Sequence, residues 1–444
     1  MTHTVTAGAR VPLRILSDED LQQLDQAACR VLERVGVSVP SARAREALRS
    51  AGAHVDDERV TIPAEVLRGL LAKAPPRFRL GARSGATLVT GNGSLLTTDG
   101  CCTEIYDPED GRRRLTDGAD VAAITRLVDA LPQVDFCWPA VSAQDYPVTR
   151  RGLWELYLAL ANTGKHIQTV TIVEPHLASV AVEMASAVAG GADNLRAAPP
   201  ISALLGTVTP LGNDGGTIEA GLVFAEAGVP IGFVSMPQGG STTPITMAGS
   251  LVVGIAETLS AVAIIQAAVP GAPVFVCFIP TIMDLRSGDF TGGAPEDTLM
   301  GAAAADIGRF YSLPTQAGVN ASGAKTPGWQ SAIDDVATTF TSLLAGVDML
   351  AGVGMVASDS LFSCEEMLLA AEITDVARRL GGLGSTGIRD AADPQLPEWL
   401  AGARDDAVAR AHDRVRELLA LHQPPPLEAG LDRELRRLAE GVLA

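Results

Sequence analysis

Residues 230–279 read PIGFVSMPQGGSTTPITMAGSLVVGIAETLSAVAIIQAAVPGAPVFVCFI, and they contain one strand–helix–strand unit. The runs Pro230–Met236 and Pro273–Ile279 are short, apolar and rich in β-branched and aromatic residues, which is typical of buried strands. The apolar positions between them recur at helical spacing: Ile245, Ala248, Leu251, Val252, Ile255 and Leu259. This order of elements predicts a parallel sheet.

The same alternation continues along most of the chain. The further candidate strands are Leu95–Thr98, Val134–Ala140, His166–Val173, Ile201–Val208, Pro314–Val319 and Val347–Gly352. Roughly eight strands over roughly 290 residues favour closure into a (β/α)8 TIM barrel, an α/β fold, over an open doubly wound sheet. No G-x-G-x-x-G follows the early strands, which weighs against a dinucleotide-binding fold.

The composition changes on both sides of this region. Residues 1–90 are predicted to form a mostly helical N-terminal cap, in which Ser17 begins the first helix. Residues 91–385 are the predicted barrel, and residues 386–444 a C-terminal helical extension. Within the extension, a charged helix over Arg404–His422 ends at three prolines, and a short helix follows over Leu431–Leu443.

Charge and cysteine usage exclude several classes of protein. The net charge is −18, from 34 Lys and Arg against 52 Asp and Glu, so nucleic acid is not an expected partner. The six cysteines form no C-x-x-C pair, and Cys101, Cys102 and Cys277 lack a His-x-Cys partner, so we expect neither a disulfide framework nor zinc. Glu257 and Gln266 interrupt the longest apolar stretch, and residues 1–10 are polar. We expect a cytoplasmic protein that does not enter membranes.

Several stretches, taken in order, resemble the trimethylamine methyltransferase family, specifically its non-pyrrolysine, glycine betaine methyltransferase-like branch. The strongest is Met236–Gln266, followed by Pro270-Gly271-Ala272-Pro273. The others are Asp107–Leu115, Thr163–His166, Thr209–Leu211, Ala324–Pro327, Ser363–Met367 and the segment from Arg410 to Leu435. The likeness runs in the same order from about residue 15 to the end, and the ordered set carries it.

The resemblance implies a barrel that transfers a methyl group to a cobalamin-carrying corrinoid protein. The sequence contains only standard residues, so it lacks the pyrrolysine of the trimethylamine-specific members. A quaternary nitrogen leaves as a neutral amine once a methyl group is removed, so such a substrate needs only desolvation and orientation. We therefore expect a small quaternary amine such as glycine betaine as substrate, and a homo-oligomeric enzyme.

One candidate site is the turn that follows the strand Pro230–Met236. Thr243 suits an N-cap and Pro244 the first helical position, so free N–H groups of Gly239 and Gly240 could hold a substrate carboxylate. Gln238 could add a donor. The alternative is an ordinary capped turn without a ligand.

Aromatic faces and carboxylates recognise quaternary ammonium groups. The aromatic candidates near strand ends are Trp138, Phe233, Phe278 and Phe310. Asp99 and Glu174 could balance the cation, and Asn320 and Lys325 follow a predicted strand and could contact a carboxylate or the corrinoid. Each of these residues could instead be core or solvated loop. His166 precedes a predicted strand and is expected to be packed rather than to act as a base.

Two further hypotheses stay open. The same barrel could use a sulfonium or a methyl ether as donor, or tetrahydrofolate as acceptor. Alternatively, the chain could be a non-catalytic small-molecule binding homologue. An apolar pocket would favour a neutral donor, whereas an acidic, aromatic-lined pocket would favour a quaternary amine.

Overall fold

The structure is a computed structural model that describes residues 12–386 and 406–441. Residues 387–405 of the predicted C-terminal extension lie outside the described residues. The elements before residue 90 are α1 (Asp18–Arg34), β1 (Val37–Ser38), α2 (Ala42–Ser50), β2 (His54–Asp56), β3 (Arg59–Thr61), α3 (Ala64–Leu71), β4 (Arg79–Gly81) and β5 (Thr87–Val89).

The remaining strands are β6 (Leu95–Thr98), β7 (Glu104–Tyr106), β8 (Arg113–Leu115), β9 (Ile167–Thr169), β10 (Ile201–Gly206), β11 (Ile231–Ser235), β12 (Gln238–Gly239), β13 (Val274–Phe278), β14 (Thr281–Ile282), β15 (Thr315–Gly318), β16 (Met349–Val353), β17 (Met355–Val356) and β18 (Leu361–Phe362). The remaining helices are α4 (Gly118–Ala130), α5 (Arg151–Asn162), α6 (Pro175–Ala189), α7 (Ala192–Ala197), α8 (Gly215–Ala227), α9 (Met247–Ala268), α10 (Pro295–Tyr311), α11 (Trp329–Ala345), α12 (Cys364–Thr386), α13 (Ala407–Leu421) and α14 (Ala429–Glu440).

The parallel strands close into a barrel. Seven of them pair in the order β6-β16-β15-β13-β11-β10-β9. Parallel bridges from Phe136 to Thr97 and from Cys137 to Ile167 join the two edges, so residues 136–137 complete the ring as its eighth strand. The predicted (β/α)8 TIM barrel is confirmed, and each of the eight candidate runs overlaps one of its strands.

Both faces of the barrel strands are buried. Phe275 and Cys277 of β13 belong to a cluster inside the barrel, whereas Val274, Val276 and Phe278 belong to the larger core outside it. The β4–β5 hairpin supplies Phe78 and Leu80 to the inner cluster, and the ring of Phe78 lies 5.6 Å from that of Phe275. Because β4 pairs with β5 next to the start of β10, these side chains fill the N-terminal end of the barrel.

Helix α9 is the most deeply buried outer helix, because α1, α2 and α3 pack on the side that faces away from the barrel. By length and composition, it is the one helix among the described residues that could cross a membrane, and 78% of its most apolar window is buried. Its start corrects the sequence analysis: Thr246 caps it and Met247 is its first residue, not Thr243 and Pro244. The apolar composition of α9 therefore reflects burial between the barrel and the N-terminal residues.

The two C-terminal helices pack on the outer helices of the barrel. Helix α14 packs against α5 and α6, and α13 packs against α12 and α4. The hydroxyl of Tyr157 donates to Asp432 at 2.9 Å, and His422 contacts Asp129 at 2.8 Å. The division of the chain at residues 90 and 386 stays a prediction.

Candidate functional site

A cavity of about 210 Å³ lies at the carboxyl ends of the barrel strands. Its wall includes residues that follow or end four neighbouring strands: Asp99 after β6, Ile279 after β13, Gly318 in β15 and Met355 just beyond β16. Substrates bind at this end of TIM barrels, because the βα loops converge there. The volume is below the ~300–1,000 Å³ of pockets for drug-sized ligands, so it suits a small molecule.

The loop after β13 lies over this cavity. A bridge between Met283 and Phe290 folds the loop back, and the backbone N–H of Thr291 donates to Ile282 at 2.8 Å. Gly292 then lies so close to the loop after β15 that an added Cβ would be 2.6 Å from the carbonyl oxygen of Ala321. Only glycine fits this contact, which places Phe290, Thr291 and Gly292 against the cavity.

Asp99 is a buried carboxylic acid of the cavity wall. Its side chain is 5% exposed and accepts a hydrogen bond from the N–H of Gly100 at 2.6 Å. Burial raises the pKa of Asp99 to about 7, and the negative charge of nearby Asp359 acts in the same direction. Asp99 is therefore poised between its neutral and charged forms near pH 7, and a bound cation would favour the charged form.

Asp297 is a second acid of the cavity wall, in the first turn of α10. Its Oδ2 accepts hydrogen bonds from the hydroxyl of Thr291 at 3.0 Å and the N–H of Ala294 at 3.3 Å. Its Oδ1 is buried without a hydrogen-bond partner among the described residues. Burial raises the pKa of Asp297 to about 7, and the nearby charge of Glu296 adds to the shift. One oxygen thus holds the loop, and the other is left without a hydrogen-bond partner among the described residues.

The rest of the wall is mostly apolar. Trp138 and Phe290 supply aromatic rings, and Met236 and Met355 supply thioethers. Asp359, which is exposed, adds a third carboxyl group. Among the described residues that line the cavity, none is Lys, Arg or His. An acidic cavity with aromatic walls suits an alkylated cation, which cannot donate N–H hydrogen bonds.

The structure brings some of the predicted residues together. Trp138 and Asp99 line the cavity. Asn320 lies directly behind the wall and is fully buried. Its Oδ1 accepts a hydrogen bond from Thr339, and its Nδ2 has no partner in the described part of the chain. Gln238 and Gly239 pair through β12 with β14, whose Thr281 lines the cavity. Whether these residues bind substrate stays a prediction.

In the turn after β11, the N–H of Gly240 is not free to hold a carboxylate as predicted. The N–H groups of Ser241, Thr242 and Thr243 all donate to the carbonyl oxygen of Gln238, at 3.1–3.2 Å. The N–H of Gly240 donates to the carbonyl of Thr243, whose hydroxyl contacts Ser250. The turn therefore satisfies the N–H groups of residues 240–243 itself.

Other predicted residues lie away from the cavity. Phe233 packs against Gly221 of α8 and Phe278 against Gly254 of α9, so both rings lie between strand and helix layers. Phe310 is on α10, 41% exposed, with its ring against Tyr311. The remaining two, Glu174 and Lys325, are solvent-exposed. Phe233 and Phe278 were placed wrongly because neighbouring residues on a strand point to opposite faces of the sheet. In a strand that is buried on both faces, the sequence does not show which side chains point into the barrel.

Asp297, Asp359 and Phe290 line the cavity but were not among the residues predicted from the sequence. Asp297 follows Pro295 in a helix start, where an acidic residue is expected for capping alone. The signal that could have found it is the length of the loop after β13, since long loops at this end of a barrel commonly cover the site.

His166 lies at the other end of the strands, as predicted, and is packed. Its ring nitrogens contact the carbonyl of Gly81 at 2.8 Å and the hydroxyl of Ser202 at 2.9 Å. Burial lowers the pKa of His166 to about 4, so the ring is neutral at pH 7. The interpretation of His166 as a packed residue is confirmed.

Comparison with solved structures supports the fold. The monomethylamine methyltransferase of Methanosarcina barkeri superposes with a TM-score of 0.51 over 99% of this chain and 96% of that one. The sequences are 13% identical, so this likeness concerns the fold alone.

Sequence comparison identifies the family. The pattern of the family described as trimethylamine methyltransferase (MTTB) matches residues 2–393. A trimethylamine methyltransferase of Desulfitobacterium hafniense is 28% identical, over 96% of this chain and 93% of the relative. A glycine betaine methyltransferase of the same species is 27% identical over 95% of each chain. The chain is therefore a methyltransferase, and it belongs to the trimethylamine methyltransferase family.

Proposed function

We propose that this enzyme removes a methyl group from a small quaternary amine and passes it to a corrinoid protein. The observation that carries the proposal is the cavity at the carboxyl ends of the barrel strands, where Asp99 and Asp297 face a space walled by Trp138 and Phe290. Family membership supplies the reaction class, and the acidic, aromatic wall favours a cationic donor over a neutral methyl ether.

The reaction requires no proton donor from the protein. When the C–N bond breaks, its electron pair stays on nitrogen, so a tertiary amine leaves uncharged and needs no proton. The carboxylates of Asp99 and Asp297 hold the cation in place, while the apolar wall removes water from it. The described wall residues include no thiol or amine, and the reaction needs no proton transfer, which fits a nucleophile that arrives from outside.

The outer surface at this end of the barrel fits a protein-borne corrinoid. Exposed apolar side chains come from its loops: Met236 after β11, Ile245 before α9, Leu285 in the loop over the cavity and Val208 after β10. Ile245 and Leu285 meet above Gly240, within 4 Å of where a Cβ would be. When bound, the reduced corrinoid supplies the nucleophile that accepts the methyl group. This chain would contact it and its carrier through these side chains.

The remaining expectations stand as part of the proposal. We propose a cytoplasmic homo-oligomer without nucleic-acid or membrane partners. The net charge of −18 disfavours nucleic acid, and the burial of α9 disfavours membrane insertion. The sulfonium donor is also a cation and is the second candidate that the cavity admits.

The test is methyl transfer by the purified full chain to a reduced corrinoid protein. Quaternary amines, dimethyl sulfonium compounds and methyl ethers are supplied one at a time, and the corrinoid absorption spectrum reports methylation. We expect quaternary amines alone to give turnover. Turnover with sulfonium compounds alone, or with no donor on the panel, would contradict the proposal.

A further inference from the structure

We infer that the substrate is a quaternary ammonium alcohol of the choline type and not a betaine, because the cavity offers a place for a cation and a hydroxyl but none for a carboxylate. The inference rests on the proposed function and narrows it from quaternary amines to one chemical class.

The negative charge of the cavity wall disfavours a substrate that carries a carboxylate. The cavity wall carries the carboxyl groups of Asp99, Asp297 and Asp359 and, among the described residues, no basic side chain. A substrate carboxylate placed there would face like charges at short range in a poorly hydrated space, where repulsion is stronger than in water. The cationic end of a substrate gains from the same groups.

The groups that were predicted to bind a substrate carboxylate are not available to one at the cavity. The N–H groups of Gly240, Ser241, Thr242 and Thr243 are bonded within their own turn. At the N-terminus of α10, which also faces the cavity, the N–H of Ala294 already donates to the carboxylate of Asp297. Lys325 is exposed and does not line the cavity. The groups that a betaine carboxylate would use are therefore engaged or elsewhere.

Two buried polar atoms of residues that line the cavity have no hydrogen-bond partner among the described residues. Trp138 is 4% exposed, and its indole Nε1 is buried without an acceptor among the described residues. Asp297 Oδ1 is likewise buried, and no described residue donates to it. Both residues line the cavity. A hydroxyl group could accept from the indole N–H or donate to Oδ1 of ionised Asp297, whereas a carboxylate can only accept hydrogen bonds. Buried polar groups of this kind usually mark a missing partner.

The test is equilibrium binding to the full chain, measured by titration calorimetry without any corrinoid protein. Choline and glycine betaine are compared because they share the trimethylammonium group and differ in the alcohol or carboxylate. We expect choline to bind at least about tenfold more tightly, or about 1.4 kcal/mol. Equal or tighter binding of glycine betaine would overturn the inference.

A variant tests the hydroxyl contact. Trp138→Phe keeps an aromatic ring and removes the indole N–H, so choline should bind about five- to tenfold more weakly. Tetramethylammonium, which has no hydroxyl, is the matched ligand and should bind the variant and the wild type alike. If the variant binds choline and tetramethylammonium more weakly by the same factor, and melts at the wild-type temperature, then Trp138 does not contact the hydroxyl group.

Failure of this inference differs from failure of the proposed function. Preferred binding and demethylation of glycine betaine would overturn the alcohol assignment and leave the quaternary amine reaction standing. Tight binding of choline, with no methyl transfer to a corrinoid protein from any quaternary amine, would overturn the reaction and leave the ligand class standing.

Discussion

Gln168 and Gln316 exchange two hydrogen bonds across the inside of the barrel, Nε2 of each donating to Oε1 of the other at 3.0 and 2.9 Å. Gln168 is on β9 and Gln316 on β15, which lie on opposite sides of the ring. Both side chains are fully buried. The reciprocal pair satisfies two amides in an otherwise apolar interior and ties opposite walls of the barrel together.

Replacing one member of this pair should destabilise the fold. Gln168→Leu leaves the amide of Gln316 buried without a partner, at a cost of about 1–3 kcal/mol in the free energy of unfolding. The measurement is urea denaturation followed by circular dichroism. The double variant, with Leu at both positions, is the control and should recover much of the loss. If the double variant lost as much free energy of unfolding as the two single variants together, the two glutamines would not act as a reciprocal pair.

Substrate affinity should rise with pH through the neutral range. Burial raises the pKa of Asp99 and of Asp297 to about 7, with Asp359 and Glu296 adding to the shifts, so both acids are largely neutral at pH 6. The charged forms attract the cation, so choline should bind roughly tenfold more weakly at pH 6 than at pH 8, and binding at pH 7 should release protons. Calorimetry in buffers of different ionisation enthalpy measures both effects.

The control for this pH dependence is Asp297→Asn, which should bind choline more weakly at pH 8 and show a flatter profile. Affinity that does not change between pH 6 and pH 8 in the wild type would show that these carboxyl groups do not hold the cation.

Glu257 should be important for the shape of the rim. Its carboxylate, buried in α9, accepts hydrogen bonds from the hydroxyls of Thr207, Thr209 and Ser235 and from the N–H of Leu211. Glu257→Ala removes the acceptor for all four and should destabilise the protein by about 3 kcal/mol or more. Glu257→Gln retains one side-chain oxygen and should lose less. Equal unfolding midpoints for the two variants would contradict this role.

Leu285 should be needed for the corrinoid partner and not for the amine. This side chain is 64% exposed in the loop over the cavity. Leu285→Asp places a charge on the proposed contact surface, so methyl transfer at limiting corrinoid protein should slow by about tenfold while choline affinity is unchanged. Leu421→Asp is the matched control, because Leu421 is similarly exposed, at 74%, but lies away from the proposed contact surface. It is at the end of α13, next to the His422–Asp129 contact at the C-terminal end of α4. Equal losses in both variants would argue against a specific contact surface.

The sequence was sufficient for the barrel because its signal is repeated. Each strand is a short apolar run between amphipathic helices, and even the strand at residues 136–137, which pairs only through bridges, lies within the predicted run Val134–Ala140. Trp138 and Asp99 were found for the same reason: residues that follow barrel strands lie at the cavity.

The residues of the site were harder to predict where the direction of a side chain or the shape of a loop determines whether a residue reaches the cavity. Phe233 and Phe278 are on strands buried on both faces, so no polar alternation indicates which side chains point inward. Asp297 reaches the cavity because the loop after β13 folds back at Met283 and Phe290, a contact that local sequence does not encode. Thr243 satisfies the local rule for an N-cap, yet the helix begins at Met247 because the turn bonds to itself through Gln238.

The most direct test of the central claim follows an isotopically labelled N-methyl group from choline to a reduced corrinoid protein, in the wild type and in Asp297→Asn. The wild type should transfer the label and release dimethylaminoethanol, the tertiary amine that remains. The variant should transfer it at least about tenfold more slowly at subsaturating choline, with an unchanged melting temperature. Equal rates in the two proteins, or label that never leaves choline in the wild type, would contradict the account.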